Sequence, residues 1–189
     1  MADMETVLSY IEGEMRKNIK SPTADRIRDL LAIDGWDLVV PGKQVGDVAN
    51  AMQIWKSMVN YGKPWDHKPH IKKTYGDWSH DAHTKKDYFF DIWSNIHYGY
   101  VGRACGFGMW TLKAGAGFAQ WKAGTNPPGY WTRRAETLGD ADFLAALDDP
   151  KDQVAIELGG KLWDDKKGGF THQEFLDRVR AAKSDLATK

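Results

Sequence analysis

The stretch FDIWSNIHYGYVGRACGFG, Phe90 to Gly108, is apolar nearly all round and yet carries Asp91, Asn95 and His97. A helix of that composition has little face to offer water, so other elements must enclose it. On a helical wheel with Asp91 at zero, Asp87, Ser94, Asn95, Tyr98 and Gly102 fall within about 60 degrees. Phe89, Trp93, Ile96 and Tyr100 lie on the far side, and His97 sits nearer to them than to Asp91. Asp91 and Asn95 therefore share a face. His97 either serves another wall of a site or is a satisfied core histidine.

The elements that could enclose this helix are helical too. Val7, Ile11, Met15 and Ile19 step by four, which makes Met4 to Lys20 amphipathic. Ser21-Pro22 reads as N-cap and first helical residue of a second helix through Ile27, Leu30 and Leu31. A further helix, bounded by Gly42 and Gly46, shows Val48, Met52, Trp55 and Met58 on one face and stops near Gly62-Lys63-Pro64. Gly115 and Gly117 mark a short helix or turn that allows close backbone approach, and TNPPGYW reads as a loop. Asp149-Pro150 repeats the cap signal before Val154, Ile156, Leu158 and Leu162. Thr171 and Glu174 form a capping box ahead of Phe175, Leu176 and Val179. The tail SDLATK is expected to fray.

Between Lys63 and His83 the periodicity vanishes. KPWDHKPHIKKTYGDWSHDAH places seven histidines or aspartates among prolines, lysines and aromatics. That composition predicts a long ordered loop, the kind of segment that carries function. No run of alternating β-branched residues stands out. The fold expected is a mainly α, single compact multi-helix domain with a long Trp/His/Asp-rich loop before the central helix. It divides into N-terminal helices over 1–62, a core over 63–165, and a C-terminal helix with its tail over 166–189, all in one structural domain.

Charge and cysteine content narrow the chemistry. Lys and Arg total 26 and Asp and Glu total 26, so the formal net charge is zero. Proteins whose affinity comes from neutralising many phosphates usually carry a basic excess. The one cysteine, Cys105, excludes a disulfide framework and a thiolate metal cage and reads as a small buried hydrophobe. No stretch is long and apolar enough for a membrane span. MADMETVLSYIEGEMRK lacks the pattern of a secretory signal peptide, so export would need a specialised route. GxSxG, GxxxxGK[ST] and a strand-linked GxGxxG are all absent.

Three constellations remain. Asp66, His67 and Lys68, with Asp91 and Asn95, could supply an acid, a base and a charge stabiliser; their structural alternative is capping and loop hydrogen bonds. His80-Asp81-Ala82-His83, with two histidines three apart on a helix face, could hold Zn²⁺ with help from His67, His70 or Asp77. The spacing is common, a solvated helix start explains it as well, and the site is assigned no metal and no cofactor. His67 to Lys73, flanked by Trp65, Tyr75 and Trp78, could stack on nucleic acid or on sugar rings, with Arg133-Arg134 as an added anion site. The excess of nine Trp suits a groove, and Trp65, Trp78, Trp93 and Tyr98 are the candidate substrate contacts.

PWDHKPHI, FDIWSNIHYGYVGRACGF and LDDPKDQVAIELGGKLW, in that order, resemble the bacterial polymorphic toxin type 44 domain from about Trp65 to Trp163. The matching positions are Asp66, His67, Lys68, Asp91, Asn95, His97, Tyr98, Asp149 and Asp152. Of these, Asp149 also reads as a helix N-cap and Asp152 as a first-turn acid. The resemblance implies an antibacterial effector delivered by a specialised secretion system, with secretion machinery or a chaperone and a cognate immunity protein as partners. A hydrolase of cell-wall peptidoglycan in the target periplasm is favoured, with Asp66 and Asp91 as an example of the paired carboxylates. One alternative is a cytoplasmic RNase with His67 or His97 as base, Lys68 on the phosphate and Asp91 as orienter. Another is a non-enzymatic helical module that binds a partner protein through exposed Trp residues.

Overall fold

A computed structural model describes residues 1–32, 43–114 and 150–189. The readings at Gly115–Gly117, TNPPGYW, Arg133-Arg134 and Asp149 lie outside the described residues. The order is β1 (Ala2–Asp3), α1 (Met4–Asn18), α2 (Pro22–Leu31), α3 (Lys43–Val59), α4 (Lys68–Tyr75), β2 (Trp78–Asp81), β3 (Lys86–Phe89), α5 (Asp91–Ala104), α6 (Met109–Ala114), α7 (Pro150–Lys166) and α8 (His172–Ala181). The domain is mainly α, as its apolar spacing predicts.

Local signals explain most boundaries. Met4, Val7, Leu8, Ile11 and Met15 form the fully buried stripe of α1. The Ser21 hydroxyl accepts the Ala24 N–H at 3.2 Å and so caps α2. At α8 the Thr171–Glu174 capping box closes in both directions. Gly46 lies inside α3 rather than at its edge.

The central helix α5 is enclosed as its composition demands, by α1, α4, α6 and α7. Its closest neighbour is α7, and small residues set that distance. A Cβ added at Gly99 would stand 1.9 Å from the Ile156 carbonyl oxygen, and one at Gly159 would stand 2.0 Å from that of Ile96. Gly99 meets Ile156 and, four residues on, Arg103 meets Gly160, so the two helices run parallel. Arg103 closes the seam with bonds of 3.1 and 2.8 Å to Asp164.

The segment over 63–83 is not a loop. It forms a turn, the two-turn helix α4 and the first strand of a hairpin. A helix this short has one buried apolar anchor, Ile71, which is too few to show a period. Gly76, at φ 89°, ends α4 in a conformation other residues avoid. β2 pairs antiparallel with β3 and parallel with β1. The tail does not fray. Asp87 and Lys189 exchange two backbone bonds of 3.1 Å, and Phe89 donates to the Ala187 carbonyl at 3.0 Å. Unpaired backbone on the open side of β3 holds the tail in place.

Candidate active site

The polar residues of α5 point two ways, and the elements around them decide what each can do. On one side stand His67, just ahead of α4, and His97. His67 is 4 % exposed and His97 0 %. Their rings meet edge-on at 4.3 Å between centroids. The His67 backbone N–H donates to the Ser94 hydroxyl at 3.3 Å, which ties the start of α4 to α5.

The partners of both imidazoles come from α1. The Tyr10 hydroxyl bonds Nδ1 of His67 at 2.9 Å, and burial pushes that phenol up to about 12, so it remains a donor. The Asn18 amide donates to Nε2 of His97 at 2.9 Å. The ring protons of the neutral histidines then lie on His67 Nε2 and His97 Nδ1, and neither atom has a hydrogen-bond partner among the described residues. Burial lowers His67 to about 4; Glu14 and Asp66 act against that shift, while His70 and Lys17 add to it. Burial and the neighbouring His67 hold His97 well below its ordinary range. The pair is neutral at pH 7.

On the other side of the helix lie Asp91 and Asn95. Asp91 is half-buried in the first turn of α5, where the helix dipole favours its charge. Asn95 is 7 % exposed, and its Nδ2 has no hydrogen-bond partner among the described residues. Asp152, also 7 % exposed, lies in the first turn of α7 as Asp91 does in α5. Each of the two packed helices thus carries a carboxylate in its first turn, and Asn95 follows Asp91 by one turn.

Other expected site residues are placed elsewhere. Asp66 is a turn cap: its carboxylate accepts the Gly62 N–H at 2.9 Å and the Lys68 N–H at 3.2 Å. Lys68 is half-buried in the first turn of α4. Three of the four candidate substrate contacts are core. Trp93 is 0 % exposed against Tyr88, and Trp65 packs edge-on to Trp55. Tyr98 donates its hydroxyl to the Leu112 carbonyl at 3.2 Å. Only Trp78 reaches solvent, from the outer face of the hairpin. Three of these four aromatic side chains are therefore committed to packing.

The zinc constellation changes too, because His80 and Asp81 occupy a strand rather than a helix. Successive strand residues face opposite ways. His80 turns outward to Asp87 at 2.7 Å, while Asp81 turns inward to Arg180 at 2.8 Å. Among the described residues no group of three or more His, Cys, Asp or Glu side chains is arranged to hold a metal. Cys105 is fully buried and burial pushes its thiol up to about 12, which suits packing and not nucleophilic attack.

Tyr10, Ser94 and Asn18 were missed in the sequence. Tyr10, Glu14 and Asn18 do step by four beside the apolar stripe of α1, which is the trace they leave.

The family model described as Bacterial toxin 44 matches residues 54–165, from mid-α3 to the end of α7. The chain belongs to this family. No curated protein and no solved structure matches it. The matched part of the toxin holds both histidines, Asp91, Asn95 and Asp152, whereas Tyr10 and Asn18 lie outside it. Among the described residues, no helix of the toxin is long and apolar enough to cross a membrane.

Proposed function

We propose that this toxin domain hydrolyses the glycan of the bacterial cell wall by acid/base catalysis at the α5–α7 seam. The observation that supports it is that Asp91 and Asp152 stand in the first turns of two packed helices, with Asn95 one turn on from Asp91. In this reading one carboxyl group protonates the departing glycosidic oxygen as the C–O bond breaks. The other takes a proton from the water that attacks the sugar carbon. The Asn95 amide, buried with an uncommitted N–H, holds a substrate oxygen. Asp66 drops out of the acid/base pair because its oxygens serve backbone N–H groups. Delivery to a target periplasm and protection of the producer by an immunity protein go with this reading.

The RNase alternative needs a histidine base oriented by Asp91. His67 takes its partner from Tyr10 instead, and both histidines are enclosed, which speaks against it. The test is expression of the chain in a bacterial host, once in the cytoplasm and once with an export signal. Asp91→Asn and Asp152→Asn run alongside, with circular dichroism to confirm folding. Lysis on export alone, abolished by either substitution, is the expected result. Toxicity confined to the cytoplasm with degraded RNA would refute the cell-wall reading. Toxicity that survives both substitutions in folded protein would point to the partner-binding module.

A further inference from the structure

The outer face of the hairpin carries the wrong residues for a sheet face that merely meets water. Strand residues alternate sides, and a half-solvated antiparallel sheet places apolar residues inward and polar ones outward. Here the inner face buries two polar residues, Ser79 and Asp81, beside Tyr88. The outer face departs from the rule with aromatic rings. Trp78 and Phe89 face each other across the strands, with ring centroids 4.9 Å apart, and Phe90 continues the row at 4.6 Å from Phe89. All three are half-buried, and Phe89 and Phe90 also pack against the core. A cross-strand pair explains the first two rings, but not Phe90, which lies past the strand end and directly precedes Asp91.

Two ammonium groups and two carboxylates, those of Asp77 and Asp87, stand beside the row. The Lys189 ammonium stands 4.2 Å from the Trp78 ring centre and that of Lys72 stands 5.1 Å from Phe90. Asp77 pairs with Lys72 at 3.2 Å, so one of the two cations is partly spent. The His80–Asp87 pair extends the same face away from the site.

We propose that Trp78, Phe89 and Phe90 form the binding strip for a cell-wall glycan strand, leading it along the hairpin to Asp91. The proposal rests on the cell-wall reading above. Flat aromatic rings offer sugar rings a surface for their C–H faces, and Trp78, Phe89 and Phe90 each keep part of their surface in water. The ammonium of Lys189 and, in part, that of Lys72 meet the free carboxylates of the strand's stem peptides. A polymer needs such a strip because binding along its length holds one bond at the catalytic groups.

The test is co-sedimentation of the full chain carrying Asp91→Asn with purified peptidoglycan sacculi, beside sugar release by the unsubstituted protein. Trp78→Ala and Phe90→Ala are expected to weaken binding about tenfold each, and Trp78→Phe to retain most of it. Lys72→Glu with Lys189→Glu, both exposed, probes the same strip without disturbing packing, and is expected to weaken binding most at low salt. If the protein releases sugar while the folded strip variants sediment as before, the strip is refuted and the hydrolase reading stands. If the protein neither sediments with sacculi nor releases sugar, both fall. Binding of single-stranded RNA that depends on Trp78, without binding of sacculi, would also overturn both.

Discussion

Acidification should destabilise this protein through His67. His67 has an ordinary value of 6.5 and a folded value of about 4, set chiefly by burial. The unfolded chain therefore binds the proton more readily than the folded one. The folded state loses nothing above pH 6.5. It then loses about 1.4 kcal/mol for each pH unit down to about 4, where the loss levels off at about 3 kcal/mol. That is a large share of the stability of a domain this size. His97, held well below its ordinary range by burial and by His67, adds a loss in the same direction. The assay is urea unfolding of the full chain at half-unit steps from pH 7.5 to 4, compared with His67→Gln. Carboxylates titrate in both proteins and cancel in the difference. The substituted protein should lose about 3 kcal/mol less over the range, whatever its stability at pH 7. Parallel curves for the two proteins would mean that His67 titrates normally and is not held neutral among Tyr10, Ser94 and His97.

Other consequences follow from packing. Gly99→Ala or Gly159→Ala would drive a methyl group into a carbonyl across the α5–α7 seam, at a cost of about 3 kcal/mol, whereas Gly13→Ala, with nothing within 4 Å, should gain about 0.5–1 kcal/mol; thermal melts of the three variants separate the effects. Arg180→Ala would strand Asp81, which is 3 % exposed and bonded to Arg180 at 2.8 and 3.0 Å, and should cost about 3 kcal/mol by chemical denaturation. Cys105 should resist a thiol reagent in the native protein and react at the rate of unfolding, and rapid labelling at pH 8 would contradict its burial.

The fold was legible wherever an element was long enough to repeat itself. α1 announces its buried stripe through four-residue steps, and Ser21, Thr171 and Glu174 announce the ends of helices by capping chemistry. α4 and the hairpin were illegible because two turns and four-residue strands hold too few apolar positions to set a period. The wheel separated His97 from Asp91 correctly, since that needs only the pitch of one helix. What it could not supply was the partner of each: Tyr10 is fifty-seven positions from His67 and Asn18 is seventy-nine from His97. Asp66 misled because a carboxylate in a turn looks the same in sequence whether it faces a substrate or its own backbone. Trp65, Trp93 and Tyr98 misled because an aromatic ring serves a core and a groove equally well.

The reach of α1 across the family boundary bears on inheritance. The segment that matches the family starts at residue 54, yet the groups that hold its two histidines stand at positions 10 and 18. Five more residues of that helix lie fully inside the core. A gene fusion that transplanted the matched segment alone would leave His67 and His97 without Tyr10 and Asn18. In this chain the packed unit is therefore larger than the segment that similarity detects.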